Sequence, residues 1–149
     1  MKAIVVYESL TGKTAKAAQL IAGNFRAAGV EVTAVSNVTD IDLQALAAAD
    51  LVVVGTWVDG LVFFGQKPGR QGRLWGLPAL AGKQALVFLT YAIDAGHALD
   101  KLTRIVESRG AEVLGGLQIR RDDLEGGAAD FVARALAGLP SASNEPAEP

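Results

Sequence analysis

The chain has 149 residues, enough for one domain with a buried core and too few for two ordinary domains. Its 14 Lys and Arg against 16 Asp and Glu leave a net charge of −2, which excludes a globally basic nucleic-acid binder. With no cysteine and 1 histidine, a disulfide scaffold, an iron–sulfur centre, a thiol nucleophile and a multi-histidine metal site are excluded.

Ala3 to Tyr7 is a continuous apolar run rich in β-branched residues, which predicts a strand buried on both faces. The start carries one positive charge and only this short run before Glu8. That is unlike a signal peptide, and no segment has the apolar length to span a bilayer. The expectation is a soluble, cytoplasmic protein.

From Thr14 to Ala28 the period changes to helical, with Ala17, Leu20, Ile21, Phe25 and Ala28 on one face and Gly29 as a stop. Glu31 to Ser36 reads as a second strand. Leu43, Leu46 and Ala47 predict a short helix after Asp42. Leu51 to Val54 is a third strand, followed by an irregular stretch from Gly55 to about Gly76. Ala85 to Leu89 is a fourth strand. Ala98, Leu99, Leu102, Ile105 and Val106 mark an amphipathic helix ending before Gly110. Ala111 to Ile119 reads as a fifth strand, and Phe131, Val132, Ala135 and Leu136 lie on a closing helix. The domain is expected to span 1–139. The Ser-, Pro- and Glu-rich tail, 140–149, is expected to be disordered.

Five apolar strands alternating with helices predict an α/β fold with a parallel sheet covered on both faces. Such sheets bind ligands beyond the carboxyl ends of their strands, where the strand order reverses. The loops after Tyr7, Val54 and Leu89 are therefore the ones that matter.

The loop Glu8-Ser9-Leu10-Thr11-Gly12-Lys13-Thr14 joins the first strand to the first helix. Helix N-termini attract anions through unpaired amides and the helix dipole. Ser9, Thr11 and Thr14 can each donate to a phosphate oxygen, and Gly12 lets the backbone approach. Lys13 adds charge or points to solvent. Gly12-Lys13-Thr14 mimics the end of a nucleoside-triphosphate loop, but Tyr7 stands where that motif needs its other glycine, so the match fails. The bland alternative is that Thr11 merely caps the helix. Capping needs one such residue and three are present, which favours a phosphate site.

Val6-Tyr7-Glu8-Ser9-Leu10-Thr11-Gly12-Lys13-Thr14 resembles the phosphate loop of flavodoxins. Phe88 to Gly96, with the helix after it and Arg109-Gly110-Ala111-Glu112-Val113, is similar to the last flavin loop, helix and strand of short-chain flavodoxins. The likeness extends to about residue 138. It implies a three-layer α/β/α sandwich, a five-stranded parallel sheet in the order 2-1-3-4-5, and bound FMN. By the same resemblance Ser9, Leu10, Thr11, Gly12, Lys13 and Thr14 hold the phosphate. Thr56, Trp57, Val58, Asp59 and Gly60, with Thr90, Tyr91, Ala92, Asp94 and Gly96, line the ring and ribityl chain.

In an ungapped alignment Asp59 falls at the inner ring contact, Gly60 at the redox-responsive glycine and Ile93 at the outer aromatic. Trp57 either flanks the ring with Tyr91 or packs under the long loop. Asp59 is either a turn residue or a group near flavin N5. Phe63 and Phe64 either cover the flavin edge or a partner, or one of them is core. Lys67, Arg70 and Arg73 either meet an acidic partner or a nicotinamide phosphate, or form a solvated loop. His97 reads as a surface residue, with tuning of the flavin as the alternative.

The resemblance implies electron transfer between redox partner proteins, a reductase or acceptor carrying flavin or an iron–sulfur group. No nucleic acid, metal or membrane span is expected, and the protein is expected to be a monomer or weak homodimer. Two alternatives stand beside it: a small FMN-dependent quinone or protoporphyrinogen oxidoreductase, and a binding domain of this fold that has lost its flavin. A response-regulator receiver is rejected, because Glu8 is the only acid directly after the first strand and Gly55 ends the third.

Overall fold

The computed structural model describes residues 1–59 and 65–138. Gly60, Phe63, Phe64 and the tail 140–149 therefore lie outside the described residues.

Strand β1 (Lys2–Tyr7) leads into helix α1 (Lys13–Ala27), then β2 (Glu31–Asn37), α2 (Leu43–Ala48) and β3 (Leu51–Asp59). A short β4 (Lys67–Pro68) and α3 (Gln71–Trp75) follow. The chain closes with β5 (Gln84–Tyr91), α4 (Ala98–Ser108), β6 (Glu112–Arg120) and α5 (Leu124–Gly138). The sheet runs β2-β1-β3-β5-β6, all parallel pairs. Leaving out β4, this is the expected order 2-1-3-4-5.

Period-2 alternation sorts each strand between two helical layers. Ala3, Val5, Leu51, Val53, Leu86 and Phe88 pack under α1 and α5 with Ile21, Phe25, Phe131 and Val132. Ile4, Val6, Val52, Val54, Val87 and Leu89 pack under the opposite layer with Leu46, Leu74, Leu102 and Ile105. Each fully buried side chain of this size contributes roughly 1.5–3 kcal/mol. Phe88 meets Phe131 edge-on, ring centroids 5.9 Å apart. Gly55 makes room for that packing, because a Cβ there would sit 2.0 Å from the Phe88 ring.

The segment expected to be irregular is more ordered than its composition suggests. β3 continues to Asp59, and β4 folds back antiparallel on its end, pairing Val58 with Pro68 and Asp59 with Lys67. The return is locked by Gly69 N–H donating to the Trp57 carbonyl at 2.7 Å. The Thr56 hydroxyl donates to the Gly69 carbonyl at 2.8 Å. Helix α3 is a single short turn, in keeping with the glycines and proline before it. Leu43, expected on the apolar face of α2, is exposed, and Leu46 is the buried residue of that helix. Among the described residues no helix is long and apolar enough to cross a membrane.

Candidate functional site at the carboxyl end of the sheet

β1 delivers the loop to the switch point between β1 and β3, where Glu8 N–H donates to the Gly55 carbonyl at 3.0 Å. Gly12 takes the left-handed conformation, φ 96°, with open space around its Cα. An L side chain there would be strained, and the backbone is left approachable. Ser9 Oγ accepts from Gly12 N–H at 3.1 Å and from Ala15 N–H at 3.2 Å. A hydroxyl has two lone pairs. Both are thus engaged, which leaves the Ser9 hydroxyl a proton to donate. Ser9, not Thr11, caps the start of α1. Thr11 makes no side-chain hydrogen bond within the described residues.

Thr14 is buried, and its hydroxyl lies 2.8 Å from that of Thr90 at the end of β5. Either can donate. When Thr90 donates, the Thr14 proton is available to a ligand. The amides of Lys13 and Thr14, in the first turn of α1, lack intrahelical acceptors.

A cavity of about 50 Å³ brings together Leu10, Thr11, Lys13, Thr14, Trp57 and Thr90, all expected site residues. It also includes Arg121, which no sequence signal picked out. Arg121 follows the last strand, and only the pairing of β5 with β6 sets it beside the first loop.

The other expected residues sit around this cavity rather than in it. The Thr56 hydroxyl is engaged by Gly69. Val58 turns into the core under α3 and α4. Asp59 ends β3 opposite Lys67, and the glycine that would complete the expected turn lies outside the described residues. Tyr91 is half-buried, with the Arg120 guanidinium 6.0 Å from its ring centroid. Ala92 and Asp94 are exposed, and Asp94 accepts from Gly96 N–H at 3.1 Å. Gly96 lies at φ 54°, and a Cβ there would meet Gln66 at 2.4 Å. His97 is a surface residue whose side chain is 88% exposed.

Of the two readings of Trp57, packing under the long loop is the one the contacts describe. Trp57 lines the cavity, and it also packs against the long loop, because Gly69 lies against its ring. Arg70 stacks over that ring at 5.6 Å, within cation–π range. Arg70 and Arg73 are not part of a merely solvated loop: their guanidinium groups lie 3.1 and 3.4 Å from Glu8 Oε1. Glu8 is fully buried, and that carboxylate holds the loop down onto the sheet.

A larger cavity of about 210 Å³ lies between β6 and α5, lined by Leu86, Leu117, Phe131 and Arg134 among others. It is on the flank of the sheet and lacks the amide and hydroxyl donors of the loop after β1.

The sequence profile of the flavodoxin domain matches residues 4–117. The chain belongs to the flavodoxin domain family. Solved structures agree in fold. Oxidised flavodoxin 1 from Bacillus cereus is 24% identical with a TM-score of 0.67, covering 93% of this chain and 99% of that one. The flavodoxin of Streptococcus pneumoniae TIGR4 is 25% identical with a TM-score of 0.64, covering 91% and 99%. A cysteine-to-serine mutant of the Pseudomonas aeruginosa flavodoxin is 21% identical with a TM-score of 0.70, covering 95% and 100%. A comparison with curated proteins gives no significant match.

FMN is the cofactor of the flavodoxin family, and the loop of this flavodoxin fits its phosphate end. Three features carry the fit: the Ser9 hydroxyl, whose oxygen already accepts two bonds and so has its proton left to donate, the first-turn amides of α1 and the open backbone at Gly12. Together they form a donor-only cradle, the chemistry an anionic group requires.

Proposed function

We propose that this flavodoxin is an FMN-dependent electron carrier that shuttles electrons between redox partner proteins. The observation that carries the reading is the donor-only loop Ser9–Thr14 at the switch point, with Trp57 and Thr90 sharing its cavity. When bound, FMN supplies the redox chemistry. The chain's own residues bind and orient it. Ser9, Thr11 and Thr14 with the backbone of Leu10, Gly12 and Lys13 hold the phosphate end. Trp57 and Tyr91, with Thr56, Asp59, Thr90, Ala92, Asp94 and Gly96, are assigned to the remainder.

The rim supports contact with a partner. Leu10 is 62% exposed and Ile93 is 79% exposed, both on loops at the carboxyl end of the sheet. The charge around Trp57 supports a less negative potential than that of a strongly acidic flavodoxin. Two arginines, Arg70 and Arg73, face one carboxylate, Glu8, so this cluster carries a net positive charge that favours negative charge nearby.

The test is the visible spectrum of the purified protein, before and after adding excess FMN and desalting. A retained two-band flavin spectrum is expected, followed by stepwise reduction without turnover of a quinone by reduced nicotinamide. Quinone turnover would replace the carrier by an oxidoreductase. A folded protein that retains no flavin would leave a binding domain.

A further inference from the structure

The turn after β6 reads Arg120-Arg121-Asp122-Asp123, two cations and two anions. Three of the four side chains have partners close by. Arg120 donates to both oxygens of Asp122, at 3.1 and 3.2 Å. Asp123 accepts from Gly126 N–H at 3.0 Å in the first turn of α5. Arg121 makes no side-chain hydrogen bond or ion pair within the described residues.

Its backbone is nonetheless fixed. Arg121 N–H donates to the Tyr91 carbonyl at 2.8 Å, one step beyond the last β5–β6 pair, Tyr91 with Arg120. Arg121 thereby lines the cavity of the first loop, with Thr11, Lys13 and Thr14. Two cations, Lys13 and Arg121, thus border one small cavity with no acid among its lining residues. Their mutual repulsion is relieved by an anion between them. A phosphate monoester carries about −1.5 to −2 charges at neutral pH and matches the planar guanidinium fork.

We propose that Arg121 is a phosphate-binding residue of this flavodoxin and sets its preference for FMN over unphosphorylated riboflavin. The proposal rests on the flavin reading above. It adds a second cation, from the far end of the chain, to the amides, hydroxyls and Lys13 of the first loop.

The test uses the full-length apoprotein, titrated with FMN and with riboflavin by quenching of flavin fluorescence. Wild type, R121Q and R121K are compared, with circular dichroism melts to confirm that each is folded. R121Q is expected to weaken FMN about tenfold, the scale of one charge-assisted hydrogen bond. Riboflavin affinity is expected to stay within about twofold, because riboflavin lacks the phosphate that the guanidinium would contact. R121K should recover part of the loss as a point charge without the fork. FMN affinity should also fall less steeply with salt in R121Q than in wild type. Unchanged FMN affinity in R121Q would overturn the proposal. So would an equal loss for FMN and riboflavin, which would mark a packing role. Wild-type protein binding neither flavin would overturn the flavin reading and this proposal together, a result separate from the other two.

Discussion

Arg70 Nη1 lies 3.1 Å from Glu8 Oε1, joining an arginine that is 38% exposed to a carboxylate that is not exposed at all. Arg73, 51% exposed, is the second partner at 3.4 Å. Stripping a fully buried pair of one member costs about 3–5 kcal/mol. Water around the half-exposed arginines lowers that figure. R70A, with Arg73 still in place, is expected to cost about 1–2 kcal/mol, and R70A/R73A, which strands the buried carboxylate, about 3 kcal/mol. Urea denaturation checks both. A double variant as stable as wild type would remove Glu8 as the anchor of the loop.

Gly69 lies against Trp57 so closely that a Cβ would sit 2.2 Å from the indole. G69A must therefore displace the ring or part β4 from β3. Overpacking of this kind costs about 1–3 kcal/mol. The emission of Trp57, isolated in a W75F background, should shift, and flavin affinity should fall with it. An unshifted spectrum would show that the ring is not held by this contact.

The buried hydroxyls of Thr14 and Thr90 satisfy each other at 2.8 Å. T14V leaves the Thr90 hydroxyl unpaired at a cost of about 1–2 kcal/mol. T14S keeps the hydroxyl and should restore most of that loss. Flavin affinity should follow the same order, with T14V weakest. Equal melting temperatures for T14V and T14S would argue that the pair is energetically silent.

The Asp122 carboxyl is held below its usual range by hydrogen bonds from Arg120 and by its positive charge. A depressed folded-state pKa gives stability that is present above the unfolded value, 3.8, and lost as pH falls through the folded one. The pair lies on the surface, so the change in melting temperature across that acid window should be small. In a carboxyl-carbon NMR titration R120Q should move the Asp122 midpoint upward. An unmoved midpoint would show that the ion pair does not persist in solution.

Much of the fold is legible in the chain because the determinants are local. Val52-Val53-Val54 is a short continuous apolar run of β-branched residues, the pattern of a strand covered on both faces. Ala17, Ile21 and Phe25 of α1 and Ala98, Leu102, Ile105 and Val106 of α4 repeat at helical spacing and sit in the core, whereas Leu20 and Leu99 are half-buried and Ala28, just past the end of α1, is exposed. The stretch after Gly55 is less legible, because its glycines and Pro68 speak for a loop. The short β4 is held instead by its ladder to β3, an effect that propensity does not record.

For the site, the contiguous part is legible in the chain: a glycine and three hydroxyls between a buried strand and a helix are close to one another whatever the rest of the chain does. Tertiary structure decided the rest. Thr90 reaches Thr14, Arg70 reaches Glu8, and Arg121 reaches the loop cavity only after β3, β5 and β6 have paired in register. Periodicity records which face a residue presents. Which distant residue it meets there depends on strand order and register, and these are settled by the assembled sheet.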